Sequence, residues 1–307
     1  YDLNENIKLI HSNKSNSSKW SIINTISRAI KETAPDCMIS FEYHMNLKVI
    51  LSCIICGYKN KLIVSERNDP VRKGGSFPIK QVRDLLYKRV DFLVCQTQDA
   101  YDYFKGVKKE NKVIIENPIS TLLPEPWSGS RRKRIVNFCR LEPQKNIPLL
   151  IEAFKIFVQT HNDYKLEVYG DGILRNELEQ LIKDENLNEK VMLHHFSKKI
   201  YDDIRDATMY VSSSDYEGLS NSMLEAMALG IPAICTDCPC GGARMVISNG
   251  ENGLLVPVND AEAMAIAMSK VADNNQFALC ISQKEVLVRE RYSVSKIMNK
   301  WMNIIEI

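Results

Sequence analysis

Ile135-Val-Asn-Phe-Cys139, Arg140-Leu-Glu-Pro-Gln-Lys-Asn146 and Ile147-Pro-Leu-Leu-Ile-Glu-Ala-Phe-Lys-Ile-Phe-Val158 read consecutively as strand, polar turn and helix. The first run is short, apolar and β-branched, whereas Leu150, Ala153, Phe154, Phe157 and Val158 recur at helical spacing. Apolar runs follow at Leu166-Glu-Val-Tyr169, Val191-Met-Leu193, Met209-Tyr-Val211, Ala233-Ile-Cys235 and Leu254-Leu-Val256. Helical periods such as Leu174, Leu178, Leu181 and Ile182 separate them. Six strand and helix units in succession predict a parallel, doubly wound sheet. Gly170 and Gly172 after a strand, and Gly230-x-Pro232 as a helix stop, agree with that reading.

The N-terminal half repeats the scheme: a strand at Ile7-Lys-Leu-Ile10, a helix from Trp20 to Lys31, then strands at Met38-Ile-Ser-Phe41, Leu62-Ile-Val64, Phe92-Leu-Val94 and Val113-Ile-Ile115. Between the halves, Asn117 to Ser130 carries three prolines and no periodicity, and Arg131-Arg-Lys-Arg134 follows. The expected organisation is an N-terminal Rossmann-like domain over 1–118, a linker over 119–133, a second such domain over 134–290 and a terminal helix over 291–307. Val294, Ile297, Met298, Trp301 and Ile305 would form the docking stripe of that helix.

With 307 residues, 45% of them hydrophobic, the chain can fill two cores. Its richest apolar stretch, Val49 to Cys56, is too short to span a bilayer. The net charge of +2 hides an asymmetry: 19 Lys and Arg face 13 Asp and Glu in residues 1–118, against 21 and 25 in 119–307. The basic half suits anionic lipid headgroups or an acidic acceptor. Nine cysteines in strand-like settings do not form a disulfide framework, which suggests a reducing, cytoplasmic setting. Neither Cys53-x-x-Cys56 nor Cys235-x-x-Cys238-x-Cys240 has a nearby His, and no zinc site is expected. There is no basic stripe interleaved with aromatics, so nucleic acid is not an expected partner. The chain opens on Tyr1 without signal-peptide features, and an upstream segment is expected.

Ligands of open α/β sheets sit at the carboxyl ends of the strands. There, Arg140 follows a strand and Lys145 precedes a helix, two cations suited to a diphosphate whose leaving oxygen gains charge. In the loop Glu217-Gly218-Leu219-Ser220-Asn221, Ser220 or Asn221 can cap the next helix, and its amide end favours an anion. Glu225, about a turn inside that helix, can accept hydrogen bonds from vicinal ribose hydroxyls, leaving Glu217 near a sugar. In the N-terminal half, His44 and the run Glu66-Arg67-Asn68 follow strands and are acceptor-side candidates. No Asp-x-Asp pair holds a divalent ion, since Asp171 and Asp202-Asp203 lie in turn or helical contexts; metal independence is expected. His194-His195 follows a strand near where a base would lie.

Glu217-x7-Glu225 followed by Ala226-Met-Ala-Leu-Gly-Ile-Pro232 resembles the signature of retaining glycosyltransferases of family 4. Ser65-Glu-Arg-Asn-Asp-Pro70, Asn117-Pro-Ile119, Cys139 to Asn146, Val168-Tyr-Gly-Asp-Gly172 and Asn252-Gly-Leu-Leu-Val-Pro257 match in order, so the resemblance covers most of the chain. It implies the GT-B fold, two Rossmann-like domains facing a cleft with a C-terminal helix crossing back. It also implies that Arg140 and Lys145 hold the donor diphosphate, Glu225 the ribose and Glu217 the transferred sugar. Gly170, Gly218, Leu219, Ser220 and Asn221 complete the expected donor set. The implied reaction moves a hexose or N-acetylhexosamine from a nucleotide sugar, UDP preferred to GDP, with retention and without a cofactor. The acceptor would be a saccharide or polyprenyl-linked saccharide in bacterial surface-polysaccharide assembly, met peripherally at the membrane's inner face.

Two departures qualify this. Cys238-Pro-Cys-Gly-Gly-Ala-Arg-Met245 replaces a Pro-Thr-Gly-Pro type of turn, adding Arg244 near donor or acceptor. The family's opening strand and glycine-rich loop do not precede Tyr1, which leaves a second reading open: a nucleotide-sugar-binding remnant without turnover.

Overall fold

The computed structural model describes residues 6–11 and 19–306, and the chain divides into two compact units. The first holds residues up to Cys95, Ala100–Ile114 and the chain's last residues from Asn303. Its elements are α1 (Lys19–Thr33), β1 (Cys37–Phe41), α2 (Tyr43–Cys56), β2 (Lys61–Ser65), α3 (Phe77–Leu86), β3 (Phe92–Cys95), α4 (Gln98–Tyr103, which begins in the second unit) and β4 (Lys112–Ile114). The strands pair in parallel in the order β1-β2-β3-β4. Ile63, Val64, Leu93 and Val94 are wholly buried, as in a strand covered on both faces. The expected strand at Ile7–Ile10 does not form: these residues are exposed and unpaired with any described strand. An apolar run becomes a strand only beside a partner ladder.

The second unit, residues 96–99 and 115–302, begins its sheet at β5 (Arg132–Phe138). There follow α5 (Ile147–Phe157), β6 (Lys165–Tyr169), α6 (Arg175–Asp184), β7 (Val191–His194), α7 (Ile200–Ile204), β8 (Ala207–Ser212), α8 (Asn221–Ala228), β9 (Ala233–Thr236), α9 (Gly242–Val246), β10 (Leu254–Val256) and α10 (Ala261–Asp273). Helices α11 (Asn275–Glu285), α12 (Val288–Arg291) and α13 (Val294–Glu306) end the chain. All six strands are parallel, in the order β10-β9-β8-β5-β6-β7. Strand order therefore reverses between β5 and β8, and the loops leaving these neighbours must part above and below the sheet. That opens a crevice at their carboxyl ends.

Phe154 and Phe157 of α5, Met264 and Met268 of α10, Leu166 and Met209 share the core, each at most 1% exposed. Helix α8 stops where its sequence predicts. Gly230, at φ 70°, donates to Met227 O (2.9 Å) and Ile231 to Ala226 O (3.0 Å), the paired bonds of a left-handed glycine cap. The stripe on α13 differs from the expected one. Ile297, Trp301 and Ile304 are buried, while Val294 and Met298 stay 37% and 46% exposed. Two helical series share Ile297 and Trp301, and packing chose the one through Ile304.

Candidate active site

The loop leaving β5 is zipped to the loop leaving β6. Cys139 N donates to Tyr169 O (3.0 Å), Leu141 N to Asp171 O (2.9 Å) and Leu174 N to Leu141 O (3.1 Å). A Cβ on Gly170, whose φ is 145°, would lie 1.8 Å from Cys139 O. Gly170, expected to touch the donor, therefore acts first by letting the two loops meet and so placing Arg140.

A second set of bonds stitches the β5 and β8 exits across the strand-order reversal. Ser213 Oγ donates to the carbonyls of Lys145 and Asn146 (2.9 and 2.8 Å), and Gln144 Nε2 to Tyr216 O (3.0 Å). Asp215 N donates to Gln144 O (3.0 Å), and Asn146 Nδ2 to Asp215 Oδ1 (2.7 Å). Asn146 has a φ of 43° and caps α5 by accepting from Leu149 N (3.3 Å). This stitching carries Lys145 onto Glu217. They form an ion pair whose side chains are only 14% and 18% exposed, and Ser214 Oγ donates to the same carboxylate oxygen (3.3 Å).

Arg140 is 66% exposed and pairs with Glu142 (2.8 Å). The two cations were expected to flank one open spot; instead each carries its own acid. All four charges still converge, because Lys145, Glu217, Arg140 and Glu142 all act on the Cys139 thiol, which burial above all pushes up to about 12. An exposed pair like Arg140 with Glu142 contributes at most about 1 kcal/mol, so a doubly charged phosphate can displace its acid.

Glu217 N donates to Pro239 O (2.9 Å), tying its loop to the one after β9. Ser214, Glu217, Ser220, Thr236 and Cys238 line a small cavity of about 10 Å³ beside it. Ser220 is the cap of α8, accepting from Met223 N (3.4 Å), and Asn221 accepts from Asn117 Nδ2 (2.6 Å). The Leu219 side chain is 4% exposed, so only its main chain can serve a ligand. Burial raises the Glu225 carboxyl to about 6, opposed by a hydrogen bond with Tyr201 of α7.

Further round the same edge, Asp171 accepts from His195 Nδ1 (2.6 Å) and Phe196 N (3.0 Å), bonds that hold its carboxyl below the usual range. His194 is stacked on Tyr169 at 4.4 Å. Ile173 and Phe196 are 79% and 71% exposed there, two apolar side chains that sequence reading overlooked because neither belongs to a periodic element.

Arg244, expected to lend a charge to a ligand, is held by Asp237 (2.5 Å) and Asp99 (3.2 Å). Cys235 and Cys238 are buried, and desolvation pushes the Cys238 thiol to about 12. Among the described residues no three His, Cys, Asp or Glu side chains gather to hold a metal ion, and no described helix is long and apolar enough to cross a membrane.

The acceptor-side candidates divide in the first unit. Glu66 is corrected: it is 4% exposed, faces inward and accepts from the Tyr87 hydroxyl, which itself accepts from Asn46 Nδ2 (2.9 Å). Burial raises its carboxyl to about 7. In this structure it braces the interior. His44 is exposed, edge-on to Tyr43 at 5.5 Å. Arg67 lies over the Phe41 ring at 5.1 Å with its buried NH1 unpartnered, and desolvation lowers its guanidinium to about 10. Asn68 Oδ1 accepts from Asp69 N (2.8 Å). Beside them Glu42 holds a φ of 71°, a strained setting for a residue with a side chain.

Comparison with known proteins places this geometry. The family described as Glycosyl transferases group 1 matches residues 125–285. The poly(ribitol-phosphate) alpha-N-acetylglucosaminyltransferase of Staphylococcus aureus is 30% identical over 213 residues, covering 69% of this chain and 43% of that protein. The N-acetylgalactosamine-N,N'-diacetylbacillosaminyl-diphospho-undecaprenol 4-alpha-N-acetylgalactosaminyltransferase of Campylobacter jejuni is 28% identical over 250 residues, covering 77% and 67%. HepE of Anabaena in complex with UDP-glucose superposes with a TM-score of 0.84 at 18% identity, covering 93% of this chain and 82% of that one. The chain spans about half the length of the first curated relatives it matches.

Proposed function

Because the chain belongs to the group 1 glycosyltransferases and has their GT-B fold, we propose that it transfers a hexose or N-acetylhexosamine, with retention, from a nucleoside-diphosphate sugar to a saccharide or lipid-linked saccharide. UDP is the preferred carrier. The observation that carries this reading is the crevice between β5 and β8, where Lys145 pairs with Glu217 in the loop that leads to the cap of α8 and Arg140 stands on the β5 exit.

Arg140 and Lys145 offset the charge that grows on the diphosphate as the anomeric C–O bond breaks, and its bonding pair leaves with the phosphate oxygen. These cations do the work that a divalent ion does in other transferases, so the reaction is metal-independent and needs no cofactor. The acceptor hydroxyl attacks from the face the phosphate leaves, and its proton passes to that departing oxygen. Glu217, released from Lys145 when the diphosphate takes the ammonium, accepts from sugar hydroxyls. Glu225 accepts from the ribose pair with Tyr201 beside it, and exposed Ile173 and Phe196 offer the base an apolar contact. The amide end of α8, with the backbone of Gly218 to Asn221, favours the phosphate. His44, Arg67 and Asn68 face the acceptor.

The relatives' names support α-linkage, and the Campylobacter protein's name supports a diphospho-polyprenol acceptor, met at the cytoplasmic side of the membrane in surface-polysaccharide assembly. Calorimetry with UDP and GDP tests the donor half. UDP is expected to bind more tightly, and Glu225→Ala to lose about 1–3 kcal/mol. Equal UDP affinity in wild type and variant would remove the ribose role. Release of UDP from UDP-sugars on addition of acceptor then separates turnover from binding alone.

A further inference from the structure

Helix α3 presents the wrong face to water. Arg83 is 0% exposed and Leu86 is buried on its inner side, while Phe77, Val82 and Leu85 stand 72%, 51% and 62% exposed. An amphipathic surface helix ordinarily does the reverse. The orientation is locked by the buried guanidinium. Arg83 donates to Asp84 Oδ1 (2.9 Å), Pro70 O (2.9 Å) and Tyr103 OH (3.0 Å), and lies 4.9 Å from the Phe104 ring centre. Rolling α3 to hide Phe77 and Leu85 would strip that cation of every partner, at far greater cost than the apolar gain.

The surroundings of this apolar face are cationic. Between Val71 and Val90 stand six Lys or Arg and one acid, Asp84, which Arg83 already holds. Lys88 and Arg89 are exposed, Lys73 and Lys80 half-buried, and none of the four forms an ion pair among the described residues. The Lys88 side chain lies against Gly106, whose chain neighbours include the exposed Lys105 and Lys108. Val71, 52% exposed, extends the apolar surface beyond the helix.

We propose that this face of the first unit, centred on Phe77, Val82 and Leu85, docks on a bilayer surface bearing anionic lipid. Aromatic and aliphatic side chains at helical spacing enter the boundary between headgroups and acyl chains, and the surrounding ammonium and guanidinium groups meet lipid phosphates. A second copy fits less well, because a two-fold contact would bring the same cationic rim against itself. The inference rests on α3 and not on the donor site. Vesicle binding measured without nucleotide therefore stands or falls separately from glycosyl transfer.

The test is co-sedimentation of the 307-residue chain with vesicles of phosphatidylcholine alone, or with roughly one-third phosphatidylglycerol. The protein is expected to sediment with the anionic vesicles and stay in solution with the neutral ones. The triple variant Phe77→Ser, Val82→Ser, Leu85→Ser should bind about tenfold or more weakly, as should Lys88→Glu with Arg89→Glu. Both variants should keep the wild-type circular dichroism spectrum and melting curve, since all five side chains are exposed. A wild type that ignores anionic vesicles, or a triple variant that sediments like wild type, overturns the proposal. So does a wild-type dimer that the triple variant dissolves in gel filtration with no vesicle binding, which would make a second copy the occupant.

Discussion

The carboxyl edges of the two sheets are built on opposite plans. In the second unit the polar side chains at the edge are already paired: Lys145 with Glu217 and Asn146 with Asp215 across two loops, and Arg140 with Glu142 within one. In the first, the one carboxylate at the end of β2 is drawn inside to Tyr87, and the edge keeps an exposed His44 and an Arg67 with an unpartnered N–H. A rim whose loops are cross-stitched before any ligand arrives suits a ligand of fixed shape, such as a nucleoside diphosphate. An edge with unspent donors suits a ligand that varies.

Lys145→Ala should break the stitched rim most severely. It removes transition-state charge compensation and leaves Glu217 without its cation, and turnover is expected to fall about 10²–10³-fold, some 3–4 kcal/mol. Initial rates of UDP release measure it, and a loss below tenfold would move the catalytic charge elsewhere. Gly170→Ala strikes the same rim through the backbone. A methyl 1.8 Å from Cys139 O forces the β5 and β6 loops apart, at a cost of roughly 3 kcal/mol in thermal or urea unfolding.

The buried side of the comparison is tested by Tyr87→Phe. Glu66 loses its donor, which should cost about 1–3 kcal/mol while leaving UDP affinity unchanged. Because the Glu66 pKa already stands at about 7, above its unfolded value, ionising it in place is unfavourable. The penalty should therefore grow as pH rises from 6 to 8, and a pH-independent penalty would mean that Glu66 stays neutral.

Glu225 offers a milder contrast. Its pKa of about 6 is also raised above the unfolded value, so its burial detracts from stability once pH exceeds that range. Glu225→Gln should gain about 2 kcal/mol of stability at pH 8 and nothing at pH 4, while wild-type UDP affinity falls as pH drops through 6. The smallest effect belongs to the open edge. His44→Ala should raise the acceptor KM a few-fold, about 1 kcal/mol, without moving the UDP Kd. A changed UDP Kd would blur the division between the edges.

The second sheet was readable because parallel buried strands are continuous apolar runs, as at Met209 to Val211, and because Gly230 and Pro232 punctuate a helix that ends in a glycine cap. That Arg140, Lys145 and Glu217 stand at the carboxyl ends of strands was readable from the sequence. The pairings were not, since Lys145 meets Glu217 and Glu225 meets Tyr201 only through tertiary stitching. Glu66 misled for a related reason. Sequence position puts it at a strand's carboxyl end, but the Tyr87 hydroxyl gives its carboxyl a partner in the interior, at the cost of a raised pKa. The outward apolar face of α3 was hidden as well, because only the buried partners of Arg83 show which way the helix is turned.

Amide hydrogen exchange with and without UDP tests the central claim most directly. The account predicts added protection over residues 139–146 and 217–225, where the β5 and β8 exits meet, with no change at 42–46 or 66–70. Protection confined to the first unit, with the β5 and β8 exits exchanging as before, would contradict it.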